Sequence, residues 1–258
     1  MTRPVRRPLV AGNWKMYTTV PEALNLATLI RQRLEPRPTA DVVLLPPFTS
    51  LWPVQQLLAD DPRIAVGAQD CYWEPAGAFT GQISAEMLRM SCQHVLVGHS
   101  ERRHLFGDTS AVVRRKLDAV IAAQLTPLLA VGETAEERSS GRTASVLREQ
   151  LLSGLEGLRP SALRSCALAY EPVWAIGAGK TADLEDITTV TAQIREVLDE
   201  LDSGAGDVVR VLYGGSVTAQ SAPSILGLGE VDGALVGGAS LDPEEFCAIV
   251  AAAGASAN

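Results

Sequence analysis

Eight short, nearly continuous apolar runs recur along the chain, each ending at small or polar residues. They read LVAGN (9–13), VVLLP (42–46), IAVGA (64–68), HVLVG (94–98), PLLAVG (127–132), CALAY (166–170), VRVLYG (209–214) and GALVG (233–237). Short apolar runs without strict alternation are the mark of parallel strands covered on both faces. Between them, apolar positions recur three and four apart. Val20, Ala23, Leu24, Ala27, Ile30 and Leu34 share one helical face, as do Val113, Leu117, Val120 and Ile121. Leu147, Leu151, Leu152 and Leu155 form another stripe, and Ile187, Val190, Ile194, Val197 and Leu201 a further one.

Strand and helix alternating in this way predict an α/β chain closed into a (β/α)8 barrel. An open, doubly wound sheet would carry a glycine fingerprint after its first strand, where GNWKM stands instead. No Pro- or Ser-rich linker divides the series, so one barrel domain is expected over residues 1–258. The closing AAAGASAN is expected to fray beyond the last helix.

Composition then narrows the function. Hydrophobic residues make up 47% of the 258 and aromatic residues only 5%, so aliphatic side chains must fill the core. A net charge of -8 argues against a nucleic-acid partner, which requires a basic footprint. Cys71, Cys92, Cys166 and Cys247 form no C-x-x-C pair and have no ligand spacing to His94, His99 or His104. Free thiols in a cytoplasmic protein without a metal site are expected. Arg3, Arg6 and Arg7 precede an apolar run too short for a signal-peptide core, and no stretch has the length of a membrane span. These arginines are expected to form a solvated terminus, with no membrane partner.

In a (β/α)8 barrel the chemistry sits where strands end. After the sixth run stands Glu171, followed by the stiff Pro172-Val173-Trp174 corner and the small-residue stretch AIGAGKT. A carboxylate held there beside a flexible tip has the form of a base with a lid. After the first run, Asn13 and Lys15 flank Trp14, and alternation places both polar side chains on one side. After the fourth, Ser100 reads as a helix N-cap, which sets His99 against the positive end of that helix and favours a neutral imidazole. His94 opens its strand and His104 lies along the helix, so neither is expected at the catalytic face. Gly214-Gly215-Ser216 and Gly237-Gly238 follow the last two runs, where backbone N–H groups can surround a phosphate. Each feature alone is ordinary; together they suit proton abstraction beside a carbonyl in a small phosphorylated substrate.

At this point the chain resembles the triosephosphate isomerase family. GNWKM, GAQ, GAFTG, GHSERR, VGET, YEPVWAIG, YGGSV and DGALVGGASL occur in the family's order from about Val10 to Leu241. The family is itself an established example of a glutamate base beside a histidine held neutral at a helix N-terminus. The resemblance implies that Glu171 shuttles a proton through an enediolate between glyceraldehyde 3-phosphate and dihydroxyacetone phosphate. It implies that His99 polarises the carbonyl, that Lys15 offsets negative charge, and that Asn13 positions that part of the site. Glu101 corresponds to an acid beside the site. Backbone N–H groups at Gly177, Ser216, Gly237 and Gly238 would hold the phosphate. Residues 172–182 would form the lid, hinged at Pro172, Val173 and Trp174 and at Lys180, Thr181 and Ala182. Ile176 and Leu235 would clamp over Glu171, and Tyr213 and Ser216 would receive the closed lid. No metal or organic cofactor is implied.

Three departures from the family stand out. Ala130 replaces a cysteine after the fifth strand, and Ala178 replaces a threonine at the lid tip. Gln82 replaces an acid two residues beyond Thr80, on the loop that in the family enters a second subunit and pairs with an arginine like Arg102. A homodimer is expected nonetheless, because the long segment 69–83 otherwise has no cover. The alternatives are a same-fold isomerase acting on another sugar phosphate, such as a tetrulose phosphate, and a non-catalytic phosphate binder. The presence of Glu171, His99 and Lys15 together weighs against the latter.

Overall fold

The computed structural model describes residues 6–176 and 182–255. Its eight strands are β1 (Leu9–Asn13), β2 (Asp41–Leu45), β3 (Ile64–Ala68), β4 (His94–Val97), β5 (Thr126–Val131), β6 (Ala167–Tyr170), β7 (Arg210–Tyr213) and β8 (Gly233–Val236). They pair in parallel in sequence order, and β8 returns to β1 with Gly233 opposite Leu9, closing the barrel. Every apolar run of the sequence thus supplies a strand.

The near-continuous apolar character has a direct cause in the two-residue period of a strand. One set of alternate residues points into the bore. There Leu9, Ala11, Val43, Leu45, Leu96 and Leu128 pack with Ala130, Ala167, Ala169, Leu212 and Leu235. The other set, including Val10, Val42, Val95, Leu129, Leu168 and Val211, packs outward against the helices. Small alanines in the bore leave room for the larger leucines of neighbouring strands, so the interior is filled by aliphatic side chains.

Extending the inward series by one step at each end reaches polar residues. Beyond the C-terminal ends come Asn13 after Ala11, Glu171 after Ala169, Gly214 after Leu212 and Gly237 after Leu235. At the N-terminal ends come Asp41 before Val43, His94 before Leu96 and Arg210 before Leu212. Register therefore assigns the same strands an aliphatic middle and two polar mouths.

Several details differ from the sequence reading. In the helix Val20–Arg33 the buried face is Ala23, Leu26, Ala27 and Ile30; Leu26 takes the place expected of Leu24, because the apolar stripe is rotated by part of a turn. The basic start is only partly a solvated terminus: the half-buried Arg6 meets Asp232 at 2.6 Å, whereas Arg7 stays exposed while meeting Asp41 at 2.6 Å, and Arg3 lies outside the described residues. The helix Pro243–Ala255 takes in most of the tail that was expected to fray, because Ile249, Val250 and Ala253 anchor it in the outer core. All four cysteines are free thiols. Among the described residues, no helix is long and apolar enough to cross a membrane.

The helix Ser110–Ala122 buries a lysine within its apolar face. Lys116 is 2% exposed, and its ammonium lies 2.8 Å from Asp70 and 2.5 Å from Asp108. Arg102 adds a second cation to the same two carboxylates, at 3.1 Å and 3.3 Å. Two cations answer two anions, which is what makes so buried a charge tolerable. The group also ties the start of the segment 69–83 to the outer helices.

His94 generates a pH prediction. Burial, then the nearby Arg210 charge, pushes its imidazole down from the ordinary 6.5 to about 4. The unfolded imidazole takes a proton near 6.5 and the folded one only near 4, so between these values the unfolded chain binds more protons. Stability should therefore fall on acidification through this window, with His94 contributing up to about 3 kcal/mol. Urea unfolding from pH 7 to 4 should show that His94→Gln removes this part of the acid sensitivity. A parent-minus-variant difference that stays flat across the window would contradict it.

Candidate active site

A cavity of about 400 Å3 opens at the C-terminal ends of the strands. Asn13, Glu171, Gly214 and Gly237 reach its wall as continuations of the inward series. Lys15, His99, Ile176, Ser216, Leu235 and Gly238 join them there. Residues far apart in sequence thus line one space.

Glu171 is 2% exposed and held by two contacts. One carboxylate oxygen lies 3.1 Å from Nε2 of His99, and the other accepts the backbone N–H of Ser100 at 2.9 Å. Two glycines make room for it. A Cβ at Gly132 would collide with the Glu171 carbonyl oxygen, and one at Gly214 would stand 2.8 Å from Glu171 Cγ. The glycines of the VGET and YGGSV motifs are therefore required by the close approach of the chain on either side of the carboxylate. Arg103 lies beneath, donating to the carbonyls of Gly98 and Ala130. Burial lowers its guanidinium from its ordinary range, and the charge of Glu171 opposes that shift.

The helix Ser100–Leu105 is capped by His99 itself, not by Ser100. The Nδ1 of His99 accepts the backbone N–H of Glu101 at 3.2 Å. An accepting Nδ1 carries no proton, so the ring carries its N–H at Nε2, where it meets the Glu171 carboxylate on the cavity wall. Ser100 is the first helical residue instead, and it contributes a backbone donor to Glu171.

Lys15 and Asn13 share the cavity wall while Trp14 is fully buried in the outer core, as alternation suggested. The cause is different, however. The strand ends at Asn13, and Lys15 adopts the left-handed backbone region with φ of 51°. That conformation costs a non-glycine residue about 1–2 kcal/mol. Neighbours enforce it: Asn13 Oδ1 accepts the Lys15 N–H at 3.0 Å, and Gln69 Nε2 donates to the Lys15 carbonyl at 2.8 Å. The ammonium then meets Glu101 at 2.6 Å. Glu101 thus steers the cation without lining the cavity. Gln69 was missed as a positioning residue; its place in the GAQ motif was the available signal.

Glu133, also absent from the sequence-chosen set, holds the foot of the segment after β6. One of its oxygens accepts from Trp174 Nε1 at 2.8 Å and from the Tyr170 hydroxyl at 3.2 Å, and its carbonyl accepts the Val173 N–H. Arg138 stacks over the Trp174 ring at 4.4 Å. Pro172 precedes the single turn Val173–Ala175. On the far side of the segment, the Tyr213 hydroxyl accepts the Ala182 N–H at 3.2 Å. Both ends are therefore tied to the barrel. Gly177, Ala178, Lys180 and Thr181 lie outside the described residues.

The two glycine-rich ends differ from expectation in one respect. Gly237 does precede a turn of 3-10 helix, Gly238–Leu241, but after Gly214-Gly215-Ser216 no helix begins until Ala222. Ala130 lies within β5 and faces the bore, not after the strand. Thr80 and Gln82 are exposed and away from this cavity. Arg102, expected to await a partner's side chain, is engaged by Asp70 and Asp108 of its own chain. Among the described residues, no group of three His, Cys, Asp or Glu side chains could hold a metal ion.

Comparison with known proteins identifies the family. The family model described as triosephosphate isomerase matches residues 8–253. A triosephosphate isomerase from Moorella thermoacetica is 47% identical over 247 residues, covering 95% of this chain and 98% of the relative. One from Alkaliphilus metalliredigens is 44% identical, covering 95% and 99%. The crystal structure of triosephosphate isomerase from Bartonella henselae superposes with a TM-score of 0.86 at 36% identity, covering 94% of this chain and 97% of that one. A closed eight-stranded barrel, these motifs and these matches together place the chain in the triosephosphate isomerase family.

Proposed function

We propose that this chain interconverts D-glyceraldehyde 3-phosphate and dihydroxyacetone phosphate, and serves glycolysis and gluconeogenesis in the cytoplasm. The observation that carries this reading is the buried Glu171–His99 pair on the wall of a cavity that also holds Lys15 and the glycine-rich strand ends. Glu171 is the base that removes a proton from one substrate carbon and returns it to the next. To reach a C–H bond it must first release the Ser100 N–H that it now accepts, and part from His99 Nε2, which then turns to the substrate. His99 donates from Nε2 to the carbonyl oxygen as negative charge develops there, giving an enediolate, and takes up the proton of the neighbouring hydroxyl, so that one oxygen gains the proton the other loses and the carbonyl moves to the adjacent carbon. Lys15 answers that charge and Asn13 positions that part of the site, while Ser216, Gly237 and Gly238, together with Gly177, receive the phosphate. The electrons stay within the substrate, so neither a metal nor an organic cofactor is required.

Residues 172–182 act as the lid, with Pro172, Val173 and Trp174 as one hinge and Lys180, Thr181 and Ala182 as the other. Closure brings Ile176 over the carboxylate, opposite Leu235. Excluding water strengthens the electrostatics of the site and protects the enediolate from side reactions. A homodimer is supported by large apolar side chains left exposed on this chain. Met16 is 94% exposed, and Trp52, Phe79, Met90, Leu105 and Phe106 also stand open. A second copy that covered them would remove a surface seldom left exposed.

Three measurements test these readings. Steady-state isomerisation of glyceraldehyde 3-phosphate should give a kcat/KM of about 10⁶–10⁸ M⁻¹s⁻¹. Glu171→Gln should lower it by about 10²–10⁴-fold or more. Weak parental activity that still requires Glu171 would reassign the chemistry to another sugar phosphate. Ile176→Ala should reduce kcat far more than it raises KM, and equal kcat in variant and parent would remove the clamp from the mechanism. Light scattering at micromolar concentration should return the mass of two chains, and a one-chain mass would overturn the dimer.

A further inference from the structure

The opposite mouth of the barrel holds a second cavity of about 390 Å3, close in size to the catalytic one. It is built where the inward series begins. Asp41 and His94 are the first residues of β2 and β4, and they lie on its wall with Arg7, Arg37 and Arg63. Prolines 36, 38 and 62 and the bore residues Val43 and Ala65 form an apolar side.

The charges do not cancel. Arg63 is spent on Asp61, at 2.5 Å, and on the carbonyls of Leu34 and Arg31. Asp41 is shared by two guanidiniums, Arg7 at 2.6 Å and Arg210 at 2.7 Å, so this trio retains one positive charge. Arg37 has no ion-pair or hydrogen-bond partner among the described residues, and it adds a second. The imidazole of His94 likewise makes no hydrogen bond among the described residues although it faces the cavity. Burial and the Arg210 charge keep it unprotonated at neutral pH, so it offers one N–H donor and one acceptor. A chain of net charge -8 therefore maintains, at this mouth, a pocket with two uncompensated positive charges and an unused polar ring.

We propose that this N-terminal mouth is a second anion site that takes a phosphate dianion, with room for the carbon portion of a small phosphate monoester. Two net positive charges match a dianion. Arg37 supplies a planar donor fork suited to phosphate oxygens, Arg7 adds only the donors left over from Asp41 and from the Pro38 carbonyl that its Nη2 meets at 3.0 Å, and His94 supplies a donor from the barrel floor. The proline and valine side would pack against carbon atoms of an ester. The two sites lie at opposite ends of one bore, separated by the packed aliphatic layers, so both can be filled at once.

The test keeps the two sites apart. With the catalytic cavity saturated by a planar enediolate mimic, inorganic phosphate is titrated into the enzyme at constant ionic strength while the ring signals of its three histidines are followed by NMR. The His94 signals should move saturably, with a Kd on the order of 1 mM. Arg37→Ala, an exposed substitution remote from the catalytic cavity, should weaken binding about tenfold through the loss of one charge-assisted contact. Asp41→Asn should tighten it if the variant folds, and Arg37→Ala alone suffices if it does not. Glycerol 2-phosphate binding more tightly than inorganic phosphate would assign the apolar side to an ester, and equal affinity would assign the site to the free ion. His94 signals that do not move, or that move equally in the parent and Arg37→Ala, overturn the site.

Discussion

Closing eight parallel strands into a ring gives every strand an inside, and that inside is narrow. The constraint reaches from the core of this molecule to its catalytic mouth. Alternate residues must fill the bore with aliphatic side chains whose sizes complement one another, as Ala11, Ala130, Ala167 and Ala169 do for Leu9, Leu45, Leu96 and Leu128. The same period then determines which side chain appears at each mouth. Glu171 is aimed at the cavity because Ala167 and Ala169 are aimed at the bore. Its carboxylate stays there because Gly132 and Gly214 leave the chain room on either side. The placement of this carboxylate is a by-product of packing register, not an independent achievement of the loops.

Electrostatics in the molecule follow a second rule: buried charges are met by a partner on another element. Lys116 meets Asp70 and Asp108, and Arg195 and Arg6 meet Asp232; the part-exposed Lys15 meets Glu101 in the same way. These pairs join segments far apart in sequence, so they help to specify how the helices sit on the barrel. The buried ones are worth little against well-packed apolar substitutes, but breaking one leaves a stranded charge. Glu133 plays the equivalent role at the foot of the segment after β6, gathering Tyr170 and Trp174 on one oxygen.

Strands were legible because both of their faces are apolar, a pattern that needs no knowledge of partners. The position of Glu171 was legible for the same reason, since it directly follows such a run. Capping was misread at His99 because serine is the commoner cap, whereas an imidazole Nδ1 can accept the same N–H when the backbone presents it. Lys116 was invisible within its helix, because a lysine on an apolar face normally lies at its edge and one of its partners, Asp70, comes from a distant segment, while Asp108 precedes the helix. Arg6 looked like part of a solvated terminus for a related reason: Asp232, which holds it, is distant in sequence. Gln69 and Glu133 act through other residues and do not line the catalytic cavity, so only their motif context pointed to them.

The left-handed backbone at Lys15 bears on how this position can vary over evolutionary time. Glycine would relieve the strain and would fold comfortably there, but it would carry no ammonium group. Any β-branched residue would raise the strain further without supplying charge. Conformational ease and chemical usefulness therefore pull in opposite directions at this one site, and neutral drift has no downhill path that keeps both. If Lys15 serves the proposed reaction, its charge is held at the cavity at a cost in backbone strain, so chemistry and stability are traded against each other within one residue.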